Sequence, residues 1–192
     1  GFFDTISWEK LVELIGYRIA DQRIIRQIKK WLHAGVLEDG EIVEVVEGTP
    51  QGGCISPLLA NIYLHYVLDL WVSDWRRNKA HGVITIVRYA DDFVMGFEYR
   101  SDAVKFMKEI RLRMLEFNLK LHPDKTRLIE FGRYAAIDRQ RRGDRKPETF
   151  AFLGFTHICG ETRAGNFQLF RHTIGKRLTK KLCEIREELR KR

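Results

Sequence analysis

Two aspartates stand side by side between two apolar, strand-like runs, and no other feature constrains this chain as much. Val83 to Val87 and Phe93 to Phe97 are short and rich in β-branched or aromatic side chains, which predicts strands. Tyr89-Ala90-Asp91-Asp92 falls between them and reads as a hairpin. Aspartate is depleted in strands. Two adjacent carboxylates repel one another and suffer on losing water unless a cation joins them. A tight hairpin tip resolves this by holding them beside the core yet open to an incoming ion. Magnesium prefers hard oxygen ligands and keeps coordination places for substrate phosphates. Two such ions can activate an attacking hydroxyl and stabilise the leaving oxygen of a phosphoryl transfer. The alternative is an ordinary solvated turn, where aspartate is common.

Elsewhere the apolar spacing predicts helices mixed with strands. Ser7 can cap a helix over 8–19 with Leu11, Leu14, Ile15 and Ile19 on one face. A second helix, 22–34, gathers Ile24, Ile25, Ile28, Trp31 and Leu32, and Gly35 suits its end. Residues 41–47 read as a strand and 48–55 as a Gly-rich loop. Ser56-Pro57 predicts the start of a long helix, with serine at the cap and proline in the first turn. Its apolar face includes Leu58, Leu59, Ile62, Tyr63, Tyr66 and Leu70, and polar residues 76–82 form the following turn. A helix over 102–118, capped by Ser101, is buried through Ala103, Met107, Ile110, Met114 and Phe117. Arg127 to Phe131 reads as a strand, and 132–148 as a charged loop or flexible insertion. Phe150 to Ile158 and Phe167 to Phe170 read as paired strands about a turn near Gly165, and the tail from Ile174 as a basic amphipathic helix. This order places the chain in the α+β class.

Charge and cysteine usage narrow the setting. Lys and Arg number 34 against 26 Asp and Glu, a formal net charge of +8 in 192 residues. Such an excess suits a polyanionic partner, although it also serves as a solubilising surface. The three cysteines, Cys54, Cys159 and Cys183, are far apart and form no CxxC pair, which argues against a zinc site or disulfide framework and for a reducing compartment. No run approaches the roughly 18 apolar residues of a membrane helix. Gly1-Phe2-Phe3-Asp4 carries no signal-peptide pattern. The expected setting is cytoplasmic, in a bacterial cell or an organelle matrix, with no membrane partner.

Five motifs in order then resemble one family. Tyr89-Ala90-Asp91-Asp92 resembles the polymerase motif of reverse transcriptases. Gly1-Phe2-Phe3-Asp4 resembles the end of their first palm motif. Pro50-Gln51-Gly52-Gly53, with Ser56-Pro57-Leu58-Leu59-Ala60-Asn61, resembles the loop and helix facing nucleotide and template. Pro123-Asp124-Lys125-Thr126 resembles the lysine-bearing motif, and Phe152-Leu153-Gly154-Phe155 the hairpin that holds the primer end. The wording is most similar to group II intron-encoded reverse transcriptases, also called maturases.

The resemblance implies a polymerase palm, an antiparallel sheet backed by helices, over 1–160. The end of the primer-grip hairpin and the start of a thumb would follow over 161–192. Asp91 and Asp92 would be catalytic and bind Mg2+, two ions in the complete enzyme. Phe3 would exclude a ribose 2′-hydroxyl, Gln51 would contact the incoming nucleotide with Gly52 allowing close backbone approach, and Lys125 would sit near the triphosphate. The plainer alternatives are a core phenylalanine, a Gly-rich turn and a surface lysine. Phe152, Leu153, Gly154 and Phe155 would form the primer grip, with Phe152 and Phe155 partly core. Arg88 would meet phosphate or a structural carboxylate. Arg171, Lys176, Arg177, Lys180 and Lys181 would contact nucleic acid. Expected partners are an RNA template, a DNA or RNA primer, deoxynucleoside triphosphates and possible intron RNA.

The family carries a further metal-binding aspartate three residues before the glycine matched by Gly1, and fingers before that. The expectation is therefore a fragment, weak or inactive alone, of an RNA-directed DNA polymerase. The competing reading is a non-catalytic maturase-type module that binds intron RNA and assists splicing.

Overall fold

The computed structural model describes residues 6–33, 36–38, 41–43 and 55–190. The chain divides into two compact units, Gly1–Thr126 and Arg127–Arg192. Helices and antiparallel strands mix in the order expected of an α+β chain.

The first unit begins with α1, Trp8–Gly16, and Ser7 caps it by accepting the Lys10 backbone N–H at 3.4 Å. Leu11, Leu14 and Ile15 are buried as the spacing predicts, although the helix ends at Gly16 rather than residue 19. In α2, Gln22–His33, the buried stripe is Ile25, Ile28 and Leu32. Ile24 and Trp31, expected on that face, are exposed, because the buried stripe here is one residue wide rather than two. A short hairpin pairs β1, Val36–Glu38, with β2, Glu41–Val43. Gly35, residues 44–47 of the expected strand and all of the Gly-rich loop but Ile55 lie outside the described residues.

The long helix after Pro57 is not uniform. It starts as α3, Ser56–Leu64, passes through a five-residue π turn, His65–Asp69, and continues as α4, Leu70–Asn78. The N-cap is Ile55, whose carbonyl receives the Leu58 and Leu59 N–H groups at 3.0 Å, so Ser56 lies within the first turn instead of capping it. Leu59, Tyr63, Val67, Leu68, Val72 and Trp75 are buried, whereas Leu58 and Leu70 are exposed. A straight 3.6-residue period cannot register both halves because the π turn inserts a residue. The helix also runs to Asn78, into the stretch expected to turn.

Two strands follow, β3, Ile84–Tyr89, and β4, Asp92–Phe97, and then α5, Arg100–Glu116. Val83 stands outside the strand and is exposed. The N-cap of α5 is Tyr99, so Ser101 sits inside the helix, and the buried side is Asp102, Ala103, Phe106, Ile110 and Met114. Phe106, not Met107, is the deep anchor. It packs against Trp71, Trp75 and Phe97 with ring centroids 5.1–5.3 Å apart. Tyr63 is fully buried, its hydroxyl donates to the Phe117 carbonyl at 2.9 Å, and burial pushes its pKa up to about 12.

The second unit departs from expectation at its start. Arg127 to Phe131 pair with no strand among the described residues. Arg127 instead donates to the Thr149 carbonyl. The charged stretch 132–148 contains a helix, α6, Ala135–Arg141. Glu130 ties it down by accepting from Arg139 at 3.4 Å and from Arg142, whose guanidinium holds the Glu130 carboxyl below the usual carboxylate range. A three-stranded sheet follows in the order β5, Phe150–Phe152, β6, Phe155–Glu161, β7, Phe167–Thr173. The run from Phe150 to Ile158 is thus two strands folded at Leu153-Gly154. Gly165, at φ 78°, occupies the β6–β7 turn as expected. The chain closes on α7, Gly175–Arg190.

Candidate catalytic hairpin and nucleic-acid interface

The aspartate pair sits at the tip of the β3–β4 hairpin, where Tyr89 pairs with Asp92 across a two-residue turn of Ala90 and Asp91. Ala90 has φ 53°, a left-handed conformation that costs an L residue about 1–2 kcal/mol. Both aspartates are exposed. Neither carboxylate has a hydrogen bond or ion pair to another described residue. Adjacent acids with hard oxygen donors and no internal cation are what a divalent ion would bind, so the donor set fits the metal expected from the motif. Among the described residues no third acid, histidine or cysteine completes a three-ligand cluster with them.

The pleat of the hairpin decides where the neighbouring side chains go. Ile84 is buried, and Ile86, Phe93, Met95 and Phe97 pack against the core. Arg88 shares their face, since residues two apart on a strand point the same way. Its register partner is Phe93. The guanidinium therefore runs inward. Nε and Nη2 donate to the two carboxylate oxygens of Asp69 at 2.8 and 2.6 Å. Nη1 donates to Asn61 Oδ1 at 2.7 Å and to the Ala90 carbonyl at 2.9 Å. Asn61 is itself oriented by donating from Nδ2 to the Pro57 carbonyl at 3.0 Å. Of the two expected partners of Arg88, phosphate or a structural carboxylate, the structure supplies the carboxylate. Asp69 carried no sequence signal of its own. The alternation that points Arg88 inward was the available clue, because an inward arginine needs acceptors.

The other expected site residues scatter. Phe3, Gln51 and Gly52 lie outside the described residues. Lys125 is exposed in the turn after Pro123, where the Thr126 N–H donates to the His122 carbonyl at 2.9 Å. In the second unit, Phe152 ends β5 and Phe155 opens β6, joined by Leu153 at φ 50° and Gly154 at φ 85°. Positive φ at both turn residues is the geometry that matches strand twist in a two-residue hairpin. Phe152 is half-buried, but Phe155, expected to be partly core, is exposed beside exposed Leu153. The Ile174 N–H donates to the Gly154 carbonyl at 3.1 Å. A Cβ on Gly154 would meet Arg177 Nη1 at 2.6 Å, so this arginine lies directly against the turn. Arg171 on β7 and Lys176, Arg177, Lys180 and Lys181 on α7 are all exposed. On α7, Lys176 and Lys180 lie opposite an exposed stripe of Leu178, Leu182, Ile185 and Leu189, and Arg177 and Lys181 flank it.

The hairpin geometry and the ordered motifs meet one family. Residues 1–157 match the model described as reverse transcriptase (RNA-dependent DNA polymerase). The chain belongs to the reverse transcriptase family.

The chain is similar to several curated proteins. It is 34% identical over 139 residues to the uncharacterized 91 kDa protein in cob intron of Schizosaccharomyces pombe, covering 69% of this chain and 17% of that one. It is 49% identical over 74 residues to the group II intron-encoded protein LtrA of Lactococcus lactis subsp. cremoris, covering 36% of this chain and 12% of LtrA. It is 32% identical over 195 residues to the protein YkfC of Escherichia coli, covering 88% of this chain and 47% of YkfC. The chain spans less than half the length of each. Reverse transcriptases use divalent metal ions and act on a nucleic-acid template with nucleotide substrates. No helix among the described residues is long and apolar enough to cross a membrane.

Proposed function

We propose that the full-length protein is an RNA-directed DNA polymerase of the group II intron type, with Asp91 and Asp92 as catalytic metal-binding carboxylates. One observation carries this reading: two adjacent exposed carboxylates at a strained hairpin tip, without an internal cation among the described residues. Magnesium bound there would lower the charge cost of phosphoryl transfer and favour the primer 3′-hydroxyl as nucleophile. The chain's own part is to hold both acids at the tip and to keep the strand behind them fixed.

The remaining roles follow the same reading. Phe3, Gln51 and Gly52 would select and seat the deoxynucleotide, and Lys125 would neutralise its triphosphate. The turn at Leu153 and Gly154, with Phe152 and Phe155 on either side, would grip the primer end. Arg171 and the cationic face of α7 would follow the backbone of the template–primer duplex or of intron RNA. The similarity to LtrA, named for its group II intron, supports the intron type. The same reading takes residues 1–160 as palm and 161–192 as the end of the primer-grip hairpin and the start of a thumb, in a reducing cytoplasm or organelle matrix.

Primer extension on an RNA template with deoxynucleotides and magnesium tests this. The full-length protein should make DNA, and Asp91→Asn or Asp92→Asn should reduce synthesis to background with RNA affinity retained. Undiminished synthesis by both variants would sink the assignment. RNA binding without synthesis by any form would favour the maturase-type binding module.

A further inference from the structure

The Arg88 cluster does more than satisfy a buried arginine. Arg88 immediately precedes Tyr89-Ala90-Asp91-Asp92, and one of its N–H groups ends on the carbonyl of Ala90, the residue forced into left-handed φ. Its side chain is 15% exposed and uses four of its five N–H donors on protein acceptors. Apart from the Ala90 carbonyl, those acceptors come from two points on one helical rod, Asn61 in α3 and Asp69 at the end of the π turn.

Both points reach a single guanidinium because of that turn. Eight residues of straight α-helix would leave Asn61 and Asp69 about 80° apart around the axis. The π turn closes with the Leu70 N–H on the His65 carbonyl, a bond one residue longer than the α-helical one, and winds more slowly. It takes up the lag and brings both side chains to the side that faces β3. Asn61 is oriented by Pro57, and His65 Nδ1 lies 3.5 Å from Asp69 Oδ2. The guanidinium thus has a prebuilt socket.

We propose that Arg88 is a positioning residue for the catalytic hairpin. Held by Asp69 and Asn61, it fixes the Ala90 carbonyl and so sets the left-handed backbone that aims Asp91 and Asp92. This inference rests on the reading of the hairpin as the polymerase metal site. Lysine cannot replace the planar fork, because it keeps the charge but its compact ammonium carries three donors at one point, too few and too close together for the four bonds to Asp69, Asn61 and Ala90. Asp69→Asn keeps the size of the buttress and removes its charge.

The test uses the full-length protein and its Arg88→Lys and Asp69→Asn variants. Three quantities are read: kcat and KM for deoxynucleotide addition, the magnesium concentration giving half-maximal rate, and backbone hydrogen exchange over residues 88–93. For Arg88→Lys, kcat should fall by about ten- to a hundredfold. KM for the nucleotide and RNA affinity should hold, the half-maximal magnesium concentration should rise, and exchange in the hairpin should quicken. Asp69→Asn should move the same readouts in the same direction by less. Adding Ala90→Gly to Arg88→Lys should restore part of kcat, since glycine accepts left-handed φ without help. Unchanged kcat and magnesium dependence in a folded Arg88→Lys protein would overturn the proposal. So would lost RNA affinity at constant kcat, which would make Arg88 a phosphate contact. If Arg88→Lys does not fold, the milder Asp69→Asn decides by the same criteria. If Asp91→Asn and the parent protein are equally inert, the polymerase reading fails on its own. Hydrogen exchange then judges the clamp alone: faster exchange supports it and unchanged exchange rejects it.

Discussion

At the scale of single residues, the burial of a polar atom repeatedly explains why one side chain and not its neighbour holds the fold. Tyr63 is the clearest example, being fully buried with its one hydroxyl spent on the Phe117 carbonyl just beyond α5. Phe117 also stacks edge-on against the Tyr63 ring, with centroids 6.1 Å apart. Tyr63→Phe should keep the ring packing but leave a part-buried carbonyl without its donor, lowering stability by about 1 kcal/mol in urea denaturation. The sequence placed Tyr63 on the buried face correctly, because apolar spacing reports faces. It could not rank Phe106 over Met107, since the choice depends on where Trp71, Trp75 and Phe97 arrive from other elements. Asp91 and Asp92 were legible because two acids between apolar strands are chemically conspicuous. Asp69 was not, because a lone acid in a helix resembles any solvated one until its partner is known.

At the scale of elements, helix faces were read well and helix ends poorly. Ser7 caps α1 as expected, whereas Ser56 and Ser101 both fall inside their helices. Capping preference is a local signal, and a tertiary hydrogen bond can displace it by a residue or two. The start of α5 shows how. Asp102 is 1% exposed and accepts from the His81 ring and from the His81 and Gly82 backbone N–H groups, pinning the loop before β3 to the helix. The hydrogen bond from the His81 side chain, aided by those two N–H groups, holds the Asp102 carboxyl below its usual range. A depressed folded-state pKa contributes stability that is complete above the unfolded value of about 4 and is lost as pH falls through the folded value. Asp102→Asn should therefore lower the melting temperature at neutral pH and flatten its acid decline below about pH 4, as read by calorimetry across pH.

The strand runs reflect the same division. The split of Phe150 to Ile158 into β5 and β6 depends on two successive left-handed residues, and Leu153 is a poor advertisement for one. Arg127 to Phe131 has strand composition, but its arginine and Glu130 are taken up by Glu148, Arg139 and Arg142 rather than by a ladder. Composition reports what a segment tolerates, and pairing depends on what lies beside it.

At the scale of the whole molecule, the charge excess has a definite location in the second unit. Lys176 and Lys180 lie one turn apart on α7, on the side away from its exposed leucines. If this face follows a nucleic-acid backbone, affinity for single-stranded RNA should weaken with salt. Lys176→Ala and Lys180→Ala should each reduce the slope of log affinity against log salt by about 0.7. Fluorescence anisotropy over a salt series measures this, and an unchanged slope would leave the face merely solvated.

The π turn has a consequence for how such a chain can vary through descent. Substitutions between Asn61 and Asp69 alter one contact at a time, and a neighbouring side chain can compensate. Removing a single residue there restores a straight helix whose seven steps from Asn61 to Asp69 turn about 700°, within about 20° of two full turns. Val72 and Trp75 then keep the core and Asp69 keeps Arg88. The π turn makes this the one stretch where the lineage can shorten the helix by a residue, a change that elsewhere along it would rotate everything beyond by about 100°.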